Sequence, residues 1–97
     1  MRVRFTRPAL RDLDKIASFV GKDNPQSASD IVARLTELSW SLGDNPEEGM
    51  KTDEPNAYVL VVPKIHYLIF YSIESNQIDI AHFRHTSRVR PAGWKRR

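Results

Sequence analysis

The sequence predicts an α+β domain in which a helical hairpin packs on an antiparallel-rich sheet, in the order β-α-α-β-β-β. From about residue 8 to residue 43, apolar residues recur every three to four positions, which is the period of an amphipathic helix. After residue 56 the period changes to two, which is typical of strands. A chain of 97 residues with 40% hydrophobic side chains suits one domain, 1–97, with a single core.

The N-terminal segment predicts a short strand followed by the first helix. Residues 1–6 alternate between apolar and basic or polar side chains, so this strand has one buried face. Thr6 is a suitable N-cap, and Pro8 falls in the first helical turn, where a missing N–H costs nothing. The helix is expected over 8–20, and Gly21 is a plausible stop. Its apolar stripe consists of Leu10, Leu13, Ile16, Ala17 and Val20.

A second helix is expected over 25–42, because Asn24-Pro25 repeats the cap-then-proline signal and Gly43 follows. Its stripe consists of Ala28, Ile31, Val32, Leu35, Leu38 and Leu42. The connection to the first helix is very short, so the two helices form an antiparallel hairpin. Trp40 lies off the stripe, and it either covers an edge of the core or serves as an exposed binding anchor.

The second half of the chain predicts a loop and then a three-stranded meander. Residues 44–56 are rich in Gly, Pro and acidic residues and are expected to be irregular. Pro63-Lys64 and Ser75-Asn76 suit the tight turns between the strands. The middle strand is apolar on both faces, which predicts that it is central in the sheet. The expected strands cover 57–62, 65–73 and 77–83.

Charge is distributed unevenly along the chain. Residues 1–11 hold four arginines and no acid, and residues 80–97 hold six basic residues and no acid. All twelve acidic residues lie in 12–79, and the net charge is +3. Such asymmetry indicates an acidic partner, either nucleic acid or a negatively charged protein segment. The alternative is a solvated surface with a basic C-terminal tail at about 86–97.

Composition excludes several classes of chemistry. The chain has no cysteine, which removes disulfides, thiol nucleophiles and thiolate metal sites. Its longest apolar runs are far shorter than the roughly 20 residues of a membrane span, and no signal peptide is visible. His82 and His85 stand three residues apart on a strand and therefore point to opposite faces, so no metal site is predicted. A soluble cytoplasmic domain without a membrane partner is expected.

Five segments together resemble a known family. The first helix carries an A-x-x-D-L-x-x-I pattern at 9–16, and the second helix is followed by N-P-E-E-G at 45–49. The strand text V-V-P-K-I-H-Y-L-I-F-Y occupies 61–71, and an H-x-x-R ending at 85–88 precedes Arg90-Pro91. In this order the segments resemble the RelE/ParE superfamily of type II toxin–antitoxin toxins, and within it the ParE branch.

The resemblance implies a function. ParE-like toxins inhibit DNA gyrase by binding, without a cofactor or a metal ion. They are neutralised by a ParD-like antitoxin in a hetero-oligomer, and operator DNA is contacted only through the antitoxin. RelE-like relatives are metal-independent ribonucleases that act in the ribosome and carry an arginine where this chain has Leu68. They also carry a C-terminal tyrosine where this chain has Trp94. Gyrase is therefore the expected target. The alternatives are a ribosome-dependent endoribonuclease and a non-toxic regulatory partner of the antitoxin.

The resemblance and the charge pattern together nominate three sets of residues. The target-binding set is Arg84, His85, Arg88, Arg90, Trp94 and Lys95. The antitoxin-binding set is Arg2, Arg4, Leu13, Val20 and Arg84. If the protein is a nuclease, the acid–base and phosphate-binding set is Lys64, His66, Arg84, His85 and Arg88. A further interpretation of His85 and Arg88 is that they only hold the end of the last strand to the sheet.

Overall fold

A computed structural model describes residues 1–87 as a helical hairpin packed on one face of a five-stranded mixed sheet. This confirms the predicted α+β class and the predicted order of the main elements, to which one short strand is added. In chain order the elements are β1 (Arg2–Phe5), α1 (Arg7–Asp23), α2 (Pro25–Ser41), β2 (Met50–Lys51), β3 (Ala57–Val62), β4 (Tyr67–Glu74) and β5 (Gln77–His85).

The strand order across the sheet is β1-β5-β4-β3-β2. Strands β2 to β5 pair with their neighbours in antiparallel fashion. The last strand, β5, also lies beside the first, β1, and these two strands are parallel. The central position of β4 is confirmed, and its four residues from Ile69 to Ser72 are buried whichever face they occupy. The helical hairpin and the loop after it carry the chain from β1 at one edge of the sheet to β2 at the other.

The two caps predicted for the helices are confirmed. The Thr6 hydroxyl accepts a hydrogen bond from the N–H of Ala9 at 3.3 Å, and the Asn24 side chain accepts one from the N–H of Ser27 at 3.0 Å. Asn24 is at once the last cap of α1 and the first cap of α2, so α1 continues past Gly21 and the hairpin turns at a single residue.

The core lies between the hairpin and one face of the sheet. The inner stripes of the helices contribute Ala9, Ile16, Leu35 and Leu42. The sheet contributes Tyr58, Leu60, Val62, Tyr67, Ile69, Tyr71, Ile78, Ile80 and Phe83. Burial of this apolar surface is the main term that holds the helices on the sheet.

The predicted irregular loop at 44–56 contains the additional strand β2. Its position is set by Tyr71, whose hydroxyl donates to the carbonyl of Pro46 at 2.8 Å and accepts from the N–H of Gly49 at 2.9 Å. A Cβ on Gly49 would lie 2.7 Å from that hydroxyl, so only glycine allows this approach. The contact ties the loop to the core and brings β2 against β3, a tertiary effect that a local sequence pattern does not contain.

The central strand begins at Tyr67, two residues later than predicted, because the turn after β3 is longer than two residues. His66 ends that turn with φ 62 and donates its N–H to the carbonyl of Val62 at 3.0 Å. The second turn matches the prediction, since Ser75 and Asn76 both have positive φ, as a two-residue type I′ hairpin requires.

The burial of Tyr71 leads us to expect that the free energy of unfolding falls at alkaline pH. Burial raises the pKa of Tyr71 above its ordinary value of 10.0, against the lowering effect of the Gly49 hydrogen bond. The unfolded chain therefore loses this proton first, and the stabilisation present below pH 10 is lost as pH rises through the higher folded pKa. We expect Tyr71→Phe to lower the free energy of unfolding by about 1–2 kcal/mol at pH 7 and to flatten its decline above pH 10.

The measurement is urea unfolding of both proteins from pH 7 to 11. Tyr58→Phe is the matched control, because the Tyr58 ring stacks on Tyr71 at 5.4 Å while the loop contacts stay intact. Equal alkaline slopes for wild type and Tyr71→Phe would contradict this role.

Candidate functional site

A polar cluster forms where β1 ends beside β5. β1 pairs with β5 only as far as Phe5 and Ile80, and the chain then turns into α1. The main chain of β5 beyond this point has no strand on that side among the described elements. Asp12 of α1 takes its place: its Oδ2 atom accepts the N–H of Phe83 at 3.0 Å.

Two side chains of β5 reach the same carboxylate oxygen. His82 Nδ1 lies 3.1 Å and an Arg84 guanidinium nitrogen 3.0 Å from Asp12 Oδ2. Because a carboxylate only accepts, His82 carries a proton on Nδ1 in this contact. Asp12 is 8% exposed, which is unusual for a carboxylate and requires this degree of hydrogen bonding. Arg84 also donates to the carbonyl of Phe83 at 3.2 Å.

A groove of about 580 Å³ lies between the second half of α1 and the ends of β4 and β5. Its floor is apolar and includes Ile16 and Phe83, which are buried in the core. Phe19 stands on its rim with 74% of its surface exposed, between Lys15 and Lys22 of the same helix. The exposed Asp14 also lines the groove, so the two lysines leave its rim with a net positive charge. An apolar floor with such a rim suits an amphipathic segment that carries acidic residues.

A histidine pair lies at one end of this groove. His85 ends β5 and lines the groove, whereas His66 is in the turn just before β4. Their ring centroids are 6.2 Å apart. The Tyr67 ring meets His85 edge-on at 5.3 Å. His85 Nδ1 lies 2.9 Å from the Ser87 hydroxyl oxygen and 3.2 Å from the Ser87 main-chain nitrogen. The pair therefore combines the exposed imidazole of His66 with an imidazole that Ser87 holds in position.

The residues nominated for antitoxin binding fall into two locations. Arg2 and Arg4 are exposed on β1, and Arg4 forms an ion pair with Asp79 at 3.2 Å. Leu13 and Val20 are partly buried and pack against the core on the inner side of α1. Arg84 lies near the end of β5 and is bound to Asp12 of α1.

The other nominated residues are divided by the limit of the described chain. Arg84 and His85 lie together at the end of β5 and both line the groove. Lys64 is exposed in the turn before His66. The remaining nominated residues lie outside the described residues, namely Arg88, Arg90, Trp94 and Lys95.

Asp12 stands at the centre of this cluster but is not among the residues nominated above. It belongs to the A-x-x-D-L-x-x-I pattern of the first helix. The available signal was its position, because Asp12 falls between Ala9 and Ile16 on the inner stripe of α1. A carboxylate on the buried face of an amphipathic helix requires partners from another element.

Within residues 1–87, no three side chains of His, Asp or Glu come together as a metal site would require. No helix in this part of the chain has the length and apolar character to span a membrane.

Solved structures share this architecture. A chain of the chromosomal ParDE toxin–antitoxin system from P. aeruginosa matches with a TM-score of 0.77 at 22% identity, over 88% of this chain and 95% of that one. The isolated RelE toxin of E. coli matches with a TM-score of 0.68 at 14% identity, over 91% of this chain and 86% of that one. The fold is therefore that of the ParE and RelE toxins.

Sequence comparison identifies the family within this class. The sequence-family model described as the ParE toxin of the type II toxin–antitoxin system parDE matches residues 3–90. A candidate toxin of Sinorhizobium fredii, Y4kP, is 33% identical over 90 residues, which is 93% of each chain. The chain belongs to the ParE family of type II toxin–antitoxin toxins, as its resemblance to this family predicts.

We expect replacement of the Asp12 carboxylate by an amide to destabilise the fold, because three groups of β5 bind that carboxylate. Asp12→Asn keeps the size of the side chain but removes the charge that binds His82 and Arg84. We expect it to lower the free energy of unfolding by about 1–3 kcal/mol and to speed amide exchange of Phe83. Asp14→Asn is the matched control, because Asp14 is exposed on the same helix. Denaturant unfolding measures the difference, and equal stability of the two variants would contradict the proposed role of Asp12.

Proposed function

We propose that this ParE-family toxin acts by binding DNA gyrase and blocking it, and that a cognate ParD-like antitoxin neutralises it. Family membership identifies the chain as a toxin, and the proposal adds that its target is gyrase. Its proposed target-binding surface is the end of β5 with the residues that follow, through Arg84, His85, Arg88, Arg90, Trp94 and Lys95. Its proposed location is the cytoplasm, where gyrase and DNA are found.

The observation that supports gyrase binding over RNA cleavage is the ion pair between Arg84 and Asp12. Cleavage of RNA by attack of a 2′-hydroxyl needs cations that are free to stabilise the charge on the phosphorane. The Arg84 guanidinium is bound to Asp12 at 3.0 Å, so its charge is neutralised within the protein. In register with Arg84, β4 carries Leu68, where RelE-like toxins carry an arginine. An arrangement that is apolar and internally paired favours binding over phosphoryl transfer.

The proposed antitoxin is an acidic segment that folds on the toxin. The exposed Arg2 and Arg4 provide a positive edge, and the groove beside Phe19 provides apolar surface framed by Lys15 and Lys22. A disordered chain gains both charge pairing and burial by ordering on such a surface. Operator DNA is then contacted by the antitoxin part of the complex.

The histidine pair favours one alternative, a metal-independent endoribonuclease. With His66 and His85 6.2 Å apart, one imidazole can accept the proton of a ribose 2′-hydroxyl while the other protonates the departing 5′-oxygen. The attacking 2′-oxygen bonds to phosphorus as the P–O5′ bond breaks, which leaves a cyclic phosphate and a 5′-hydroxyl. The nearby Lys64 would hold the phosphate.

The two activities predict opposite results for the same protein. We expect purified toxin to inhibit supercoiling by gyrase and to leave a defined mRNA intact on translating ribosomes. Cleavage of the mRNA without an effect on supercoiling would establish the alternative. An equimolar amount of cognate antitoxin is the control, because it should reverse whichever effect is observed.

Substitution of the histidines separates the two activities further. Loss of a general acid or base costs a catalyst about 10²–10⁴-fold in rate, whereas gyrase binding requires no proton transfer. We therefore expect His66→Ala to inhibit growth nearly as well as wild type. Removal of residues 90–97 should abolish gyrase inhibition while antitoxin binding persists. A loss of growth inhibition in folded His66→Ala would contradict the gyrase proposal.

A further inference from the structure

The first helix carries a row of exposed polar residues, four of them cations, along one face. The inner side of α1 is buried against the sheet through Ala9 and Ile16. On another side, five exposed residues follow one another at intervals of four, four, three and four. A helix of 3.6 residues per turn places such residues in one line. We call this line the basic stripe, and it consists of Arg7, Arg11, Lys15, Ser18 and Lys22.

The cations of the basic stripe are not neutralised within the protein. Among residues 1–87, none of the four takes part in an ion pair. Asp14 borders the stripe and Asp23 follows it, so four cations stand against two acids. Asp12 lies on the same helix, but His82 and Arg84 already bind it. The stripe therefore keeps a net positive charge that is available to a partner.

The stability of α1 does not account for the stripe. Arg7 lies in the first turn of the helix, where the helix dipole disfavours a cation, and no acidic residue offsets it in that turn. Arg7 and Arg11 also stand one turn apart, so their like charges repel each other. Both effects oppose the helix. The positive charge of the stripe therefore serves something other than folding.

The length and composition of the stripe fit the backbone of duplex DNA. A helix rises about 1.5 Å per residue, so the distance from Arg7 to Lys22 along α1 is about 22 Å. One DNA strand carries a phosphate about every 3.4 Å along the axis, so about six phosphates fall within this length. Arginine, lysine and serine all donate hydrogen bonds to phosphate oxygens. The stripe therefore matches a row of phosphates in charge, length and donor type.

Other acidic partners fit the stripe less well. A helix that binds a membrane surface buries a continuous apolar side in the lipid, but that side of α1 is packed on the sheet. The centre of a protein interface is typically apolar and poor in lysine, whereas the only uncharged residue of the stripe is Ser18. The exposed Phe19 lies beside the stripe, on the rim of the groove.

We infer that the basic stripe binds the phosphate backbone of duplex DNA without reading its sequence. Lys15 and Lys22 line the same groove as Arg84, so the stripe borders the surface proposed for target binding. Such a contact keeps the toxin on the DNA on which gyrase acts and raises the rate of encounter. The inference goes beyond the proposed function, because the toxin itself makes this contact. It differs from recognition of operator DNA by the antitoxin.

The test is binding of the full chain to a fluorescein-labelled duplex of arbitrary sequence, followed by anisotropy over a series of salt concentrations. We expect Arg7→Gln/Arg11→Gln to weaken binding at low salt by at least about tenfold and to reduce the slope of log K against log salt by about 2. Arg34→Gln/Lys51→Gln is the matched control, because it removes two exposed cations outside α1 and changes the net charge equally. It should retain most of the affinity and of the slope.

A gain of affinity separates the inference from a loss of folding. Asp14→Asn removes the acid that borders the stripe, so we expect it to strengthen DNA binding by about two- to tenfold. Asp44→Asn is its control, because it removes an exposed acid from the loop after α2 and should leave the affinity nearly unchanged. Urea unfolding should show Arg7→Gln/Arg11→Gln to be at least as stable as wild type, since both cations oppose the helix.

Several results would overturn the inference. Equal losses of affinity in the stripe variant and its control would show that only net charge matters, and unchanged binding in the stripe variant would place the contact elsewhere. Tighter binding to vesicles of anionic lipid would assign the stripe to a membrane surface. Displacement of the duplex by polyglutamate at equal charge concentration would assign it to an acidic protein. Because neither gyrase nor antitoxin is present, each of these results leaves the proposed function standing.

Discussion

The contacts of the Asp12 carboxylate hold α1 against the last part of β5, and the groove beside these elements depends on them. β1 runs parallel to β5 for four residues and then turns into α1, which leaves the last part of β5 without a neighbouring strand on that side. Asp12 accepts the exposed N–H of Phe83 and binds His82 and Arg84 with the same oxygen. One charged side chain thus fixes the helix against the strand, and with them the walls of the groove.

The same contact restricts the chemistry available at the end of β5. An arginine held by an internal carboxylate gives shape and orientation but little net charge to a ligand, because the pair is already neutral. The free positive charge near the groove comes instead from lysines of α1 at its rim. Of the three histidines, His82 is bound to Asp12, whereas no carboxylate contact is seen for His66 and His85 in the described part of the chain.

The two outer edges of the sheet differ in a way that matters for association. On one side β2 is only two residues long and is tied down by the Tyr71 hydroxyl through Pro46 and Gly49, so it presents little edge. On the other side β1 is longer, with arginines on one face and Phe5 under Trp40 on the other. Short strands and charges are the usual protection against unwanted strand pairing. β2 has the first of these features and β1 the second.

Sequence alone determined the class, the two helices with their caps and the meander of strands, because each depends on local periodicity and on turn residues such as Asn24, Ser75 and Asn76. The family followed from motifs in order along the chain. Tertiary structure alone decided the role of Asp12, the position of β2 and the approach of His66 to His85. Each of these joins residues far apart in sequence, and such contacts arise only when hydrophobic packing brings the elements together. A local pattern cannot contain the partner that a buried carboxylate or hydroxyl will find.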